Sequence, residues 1–221
     1  MNARLGMING QSIIFSLALC ALLSATLVSA CASFQAAGAV QAGRQDLIIG
    51  RSESALAHFQ RAAHVAPDYT ADFTPLRESV WTYIGRAYYA SGKLSEARQA
   101  LEQARSRNEH DYLARLYLGL TLARDGRREN GLREIQTGLG GLQGWLEFIN
   151  YNTWYGQFWD PDRTIQREIQ SNLAMISGRE IDWQKLIAGG EWIGQKMEEE
   201  IDLARRDEVK ERTMEGEGRK D

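Results

Sequence analysis

The sequence predicts an all-α protein: an array of antiparallel helical hairpins followed by further C-terminal helices. Three observations carry this. Ala, Leu, Glu, Gln and Arg dominate the chain, and all are good helix formers. Only three prolines occur, at 67, 75 and 161, and no stretch reads as a series of short alternating strands with regular turns. Finally, small and large apolar residues recur with a period of 34 residues between 78 and 141.

Aligning the chain at Glu78 and again at Tyr112 displays the period. The first register gives Trp81, Ile84-Gly85, Tyr88, Gly92, Ala97, Leu101 and Ala104. The second gives Leu118-Gly119, Leu122, Gly126, Gly131, Ile135 and Gly138 at the same offsets. An earlier copy starts near Ala36, with Gly43, Gly50, Ala55, Phe59, Ala62 and then Pro67. About eight extra residues, 68–75, separate it from the next copy. Small residues at these positions let two helices approach, and the large ones fill the space between. Gly92 and Gly126 fall at turns, where glycine can leave a helix with positive φ. Pro67 ends its helix, because the residue before proline disfavours the α region.

Trp81-x-x-Ile84-Gly85-x-x-Tyr88, with Ala97 and Ala104, resembles the signature of the tetratricopeptide repeat family. The resemblance covers about 36–67, 78–111 and 112–141. It implies a superhelical array in which the first helix of each repeat lines a concave groove. The groove-facing offsets then fall on Arg44 in the first copy. In the second they fall on Thr82, Arg86 and Tyr89, and in the third on Leu113, Leu116, Leu120 and Arg124. Arg44, Arg86, Tyr89 and Arg124 are the expected partner-binding residues, since guanidinium groups capture carboxylates in a bidentate fashion. The alternative is that these arginines pair with neighbours inside the array. Gly138-Leu139-Gly140-Gly141 reads as a connector that ends the third copy.

The N-terminus sets the compartment. Arg4 and the amino terminus are positive, Ile13 to Val28 is apolar, and Ser29-Ala30 is a small-residue cleavage site. Val28-Ser29-Ala30-Cys31 resembles the lipobox of bacterial lipoproteins. That implies removal of 1–30 and lipidation of Cys31. The apolar core of ~16 residues is short for a bilayer span, which takes ~20. Ala32, rather than Asp, follows the cysteine, which by the same resemblance favours the outer membrane, facing the periplasm. Cys20 lies inside the signal, so the mature chain keeps no free thiol for a disulfide, a nucleophile or a metal site. Arg4 is the one charged side chain in 1–30, so 25 basic and 29 acidic residues remain. That mildly acidic balance argues against nucleic acid as a partner.

From 142 to 212 the reading is a helical cap or extension. Trp145, Phe148, Tyr151, Trp154, Tyr155, Phe158 and Trp159 crowd together, with 148, 151, 155 and 158 on one helical face. They read as a cover for the last repeat, the alternative being a recognition surface. A membrane-surface role is weaker, because no Lys or Arg occurs between Arg133 and Arg163. Asp160 reads as a helix cap with Pro161 in the first turn, and Asp182 as the next cap. Gly189-Gly190 reads as a break before a last helix over about 191–211. Its Glu198-Glu199-Glu200 reads as a solvated face, and 213–221 as a disordered tail.

His58, His64 and His110 lack a second ligand at metal spacing or a nucleophile in motif form, and no Gly-rich phosphate loop ends in Lys-Ser/Thr. No enzyme, cofactor, metal or small-molecule substrate is expected. The expected function is that of a lipid-anchored envelope adaptor for a protein or peptide partner. The alternative is a structural subunit of an envelope assembly with a permanent helical interface.

Overall fold

The computed structural model describes residues 31–73 and 76–217, the side chains of 213–217 excepted. Residues 1–30, read from the sequence as a removed signal, lie outside the described residues. The fold is mostly helical, as expected. Helix α1 occupies 31–48, so the first described residue, the exposed Cys31, is already helical. Then follow α2 (Ser52–Val65), α3 (Val80–Ala90), α4 (Leu94–Arg107), α5 (Tyr112–Arg124), α6 (Arg128–Asn152), a 3-10 turn (Trp154–Phe158), α7 (Thr164–Ile176) and α8 (Trp183–Glu217).

Three consecutive hairpins, α1/α2, α3/α4 and α5/α6, share one packing device. Gly43, Gly85 and Gly119 on the first helices lie directly against Phe59, Leu101 and Ile135 on the second. Each hairpin turns through a glycine with positive φ: Gly50 at 78°, Gly92 at 73° and Gly126 at 84°. A residue with a Cβ is strained in that region.

The inserted segment holds the one departure from an all-helical chain among the described residues. Thr70–Phe73 (β1) and Leu76–Ser79 (β2) form an antiparallel pair with Phe73 opposite Leu76 and Ala71 opposite Glu78. Alternation along the strands turns Ala71, Phe73, Leu76 and Glu78 inward. A carboxylate is thereby delivered into the apolar interior.

Three expected breaks are continuous helix. The stretch 138–141 is not a connector but the middle of α6. A Cβ at Gly138 would meet the backbone of Leu116, and one at Gly141 the ring of Tyr112. These glycines thus bring α6 close to α5. Gly189-Gly190 lies within α8 for the same reason: Gly189 meets Asn172, Gly190 meets Leu120, and Gly194 meets Tyr117. The α8 backbone also continues to Glu217, into the segment read as a disordered tail; 218–221 lie outside the described residues.

The aromatic stretch does not form one helical face, because α6 ends at Asn152. Leu142, Leu146 and Ile149 bury α6 in the core, and Trp145 meets the buried Trp159 edge-on at 5.0 Å. Phe148, Tyr151 and Trp154 face solvent. After them Asp160 accepts from the backbone N–H of Ile165 (3.0 Å) and Gln166 (2.9 Å), satisfying the free donors at the start of α7. Asp182 likewise accepts from Lys185 N.

Candidate functional site: an arginine-lined groove filled by the last helix

The first helices of the hairpins bring Arg44, Arg86 and Arg124 toward one side of the array, and α8 lies along that side. Its inward stripe of Leu186, Ile193, Met197, Ile201 and Ala204 is buried. Gly190 rests on Leu116 and Leu120, two of the residues expected to line the groove. The groove is therefore occupied by the chain's own C-terminal helix.

At its centre lies a buried ion cluster. Arg44, Glu78, Arg86 and Glu198 are 0%, 0%, 2% and 1% exposed. Arg44 donates through Nε to Glu198 Oε1, through Nη2 to the Glu198 carbonyl at 3.2 Å, and through Nη1 to Asp202 at 3.1 Å. Gln41 also accepts from Arg44 Nη1, at 2.9 Å. Arg86 Nη1 donates to Glu78 Oε2 at 3.0 Å and to Glu198 Oε2, and its Nη2 donates to the Gly194 carbonyl at 3.2 Å. Only glycine at 194 leaves room for Tyr117 while α8 brings that carbonyl within reach. Both guanidiniums also stand over rings: Arg44 over Phe73 at 4.6 Å, Arg86 over Tyr117 at 5.0 Å.

The electrostatics follow from burial. Desolvation, the largest single influence, acts to lower the Arg86 pKa, but Glu198, Tyr117, Glu78 and Tyr83 together outweigh it and hold the group well above its usual value. Arg44 is raised in the same way: burial is the largest influence and opposes, and Glu198, Tyr83 and Asp202 together prevail. Burial, reinforced by Glu198, pushes Glu78 up to about 8 despite Arg86. At neutral pH Glu78 is thus mostly protonated, which leaves two arginines facing Glu198 and the partly exposed Asp202. Glu78 Oε1 has no hydrogen-bond partner among the described residues, and neither has Arg86 Nε.

Toward the α3/α5 C-termini the groove opens into a cavity of about 340 Å³ lined by Leu47, Ile48, Tyr89, Tyr117, Arg124 and Glu191, with Arg86 at its inner wall. Tyr89 donates from its hydroxyl to Glu191 Oε1 at 2.5 Å. Arg124 lies 4.8 Å over the Tyr89 ring and 3.7 Å from the Glu191 carboxylate. Burial, and then the bond to Glu191, raise the Tyr89 pKa. The hydrogen bond with Tyr89 is the main cause that raises Arg124.

The four arginine and tyrosine side chains expected to bind a partner thus do lie along one face. Arg44 and Arg86 are enclosed there by α8, while Tyr89 and Arg124 sit at the groove mouth. Thr82, also expected in the groove, donates instead to Asp111 at 2.6 Å. The acidic half of the cluster was not legible as such. Glu198 is no solvated face, and Glu200 is buried too, accepting from Asp160 N at 2.7 Å. The available signal was the four-residue spacing of Gly194, Glu198 and Asp202, which puts them on one helical face. Among the described residues no cluster of His, Cys, Asp and Glu could hold a metal ion, and no helix is long and apolar enough to cross a membrane. No protein family, curated protein or solved structure matches the chain.

Proposed function

We propose that the chain is a lipid-anchored adaptor of the bacterial envelope. In this reading Cys31 carries the acyl chains, in the outer membrane and facing the periplasm. The helical hairpins form a tetratricopeptide-like scaffold, and the groove mouth takes a carboxylate from a protein or peptide partner. The observation that carries the reading is the way the hairpins grip α8. Arg44 and Arg86 hold Glu198, and Tyr89 with Arg124 hold Glu191, so the face selects acidic helical residues. Glu191 is half exposed beside an open cavity, and an incoming carboxylate competes with it for Arg124 and Tyr89. The apolar stripe of α8 is turned inward. A structural subunit with a permanent interface would therefore have to rely on the exposed aromatic residues.

The test is Arg124→Glu in the membrane-borne protein, followed by crosslinking and affinity purification beside wild type and Cys31→Ala. Arg124 is 39% exposed, so the fold is expected to tolerate the change. Loss of a crosslinked partner with an unchanged thermal midpoint supports the reading. Full retention of every partner by Arg124→Glu overturns it. Membrane association of Cys31→Ala equal to wild type overturns the anchor.

A further inference from the structure

The chain leaves three large aromatic side chains in solvent at the end of α6: Phe148, Tyr151 and Trp154 are 59%, 73% and 51% exposed. The sequence around them lacks basic residues, but the fold supplies them from elsewhere. Arg163, at the start of α7, lies 5.9 Å over the Tyr151 ring, and Arg212, near the end of α8, lies 5.2 Å over the Trp154 ring. Arg205 joins Arg212, Trp154, Tyr155 and Trp159 around a recess of about 320 Å³. Glu208 lines the same recess and holds Arg212 Nη2 at 2.6 Å. The remaining Arg212 N–H groups, and a guanidinium on Arg163 with no carboxylate partner among the described residues, are left to an external anion.

The position of this face relative to Cys31 follows from the pairing of α1 with α8. Leu47 and Ile48 share the cavity with Glu191 and Gln195, whereas Arg44 and Gln45 bond to Glu198 and Asp202. As α1 is followed backward, α8 is followed forward, so the two helices are antiparallel. Helical rise is ~1.5 Å per residue. From Arg44 back to Cys31, and from Glu198–Asp202 on to Arg212, the two helices therefore extend by similar lengths, on the order of 15–20 Å. Cys31 and Arg212, with Trp154 beneath it, come to the same end of the molecule. Phe34, 82% exposed and three residues after Cys31 on α1, adds an apolar side chain at that end.

We propose that the Phe148–Tyr151–Trp154 face, with Arg163 and Arg212, rests on the lipid surface into which the chain is anchored. Aromatic rings with a polar edge settle at the headgroup level, and the arginines meet lipid phosphates there. A short tether that emerges at the same end brings the face to the bilayer. This inference rests on the lipid-anchor reading of Cys31.

The test uses the wild-type lipoprotein background, isolated from membranes and reconstituted in vesicles of phosphatidylethanolamine and phosphatidylglycerol. A nitroxide is attached at Tyr151→Cys, and in a separate protein at Glu129→Cys, beside the α5/α6 turn near the opposite end of α8. The inference expects a several-fold higher ratio of oxygen to nickel-chelate accessibility at 151 than at 129, giving a depth at the headgroups. If the protein floats with the vesicles but position 151 reports water, the face is not membrane-seated and the inference falls while the anchor stands. If 151 is shielded from oxygen and nickel alike, a second copy or another protein covers the face, and the inference again falls. If the protein does not float at all, the anchor itself fails, and this inference with it.

Discussion

Arg86 of α3 and Glu198 of α8, 112 residues apart, form an ion pair sealed from solvent between the second hairpin and the last helix. Glu198 also holds Arg44 from the first hairpin, so one carboxylate joins three elements. Removing it takes the shared carboxylate from two buried guanidiniums, leaving Arg44 only the partly exposed Asp202 and Arg86 only Glu78. Removing Arg86 leaves Glu198 with Arg44 and leaves Glu78 able to stay neutral. Glu198→Gln is therefore expected to destabilise by about 3–5 kcal/mol, the usual cost of breaking a buried pair. Arg86→Met is expected to cost less. Urea denaturation of the two variants, followed by far-UV circular dichroism, gives the order.

Glu78 makes the cluster pH-dependent. Its folded-state pKa, near 8, lies above the ordinary carboxylate value of 4.5. Between these values the unfolded chain has released the proton that the folded chain keeps. Stability contributed by this group is present below pH 4.5 and declines as pH rises toward 8, by about 1.4 kcal/mol per unit where the states differ by a full proton. Glu78→Gln removes the dependence. Its unfolding midpoint is expected to be flatter than wild type from pH 5 to 8, and higher at pH 8.5. Thermal melts across that range check both.

The glycines of α5 and α6 separate two kinds of site. Gly140 and Gly144 are helical and a Cβ there meets nothing within 4 Å. Alanine at either is expected to stabilise by about 0.5–1 kcal/mol through helix propensity. Gly138 and Gly119 face backbone of the opposing helix. Alanine at either must push α5 and α6 apart, at a cost of about 1–3 kcal/mol. Thermal melts of the four single variants should split two up and two down.

Those glycines also show what a linear reading can and cannot reach. The hairpin turns were legible because Gly92 and Gly126 stand 34 residues apart beside polar turn residues. Gly138 to Gly141 carries the same residue type with the opposite meaning. Helix propensity counts each glycine as a weakness, and only the position of Leu116 and Tyr112 across the interface turns that into close packing. The β-hairpin was missed although Thr70 to Phe73 and Leu76 to Ser79 alternate around Thr74-Pro75, because two four-residue strands are a faint pattern inside a helical repeat. The arginines of the site were placed by the repeat offsets. Their acidic partners were not, because the spacing of Gly194, Glu198 and Asp202 is a faint signal inside the run Glu198-Glu199-Glu200. The first is buried against Arg44 and Arg86, and the second pairs outward with Lys196 at 2.5 Å.

Asp111 ties the second hairpin to the third. One carboxylate oxygen accepts from Ala114 N at 3.0 Å, capping α5. The other accepts from Ser79 N at 3.1 Å and from the Thr82 hydroxyl at 2.6 Å, both at the start of α3. Asparagine is ordinarily as good a cap as aspartate. Here it is not, because its amide nitrogen would face the Ser79 N–H, donor against donor, in a site only 1% exposed. Asp111→Asn is expected to cost about 1–3 kcal/mol, the range for a buried polar group left without a partner. Adding Thr82→Val removes one group that had needed the carboxylate, so the double variant should lose less than the sum of the singles. Chemical denaturation of the three proteins completes the cycle. A strictly additive result, or an Asp111→Asn protein as stable as wild type, would reduce Asp111 to a simple helix cap.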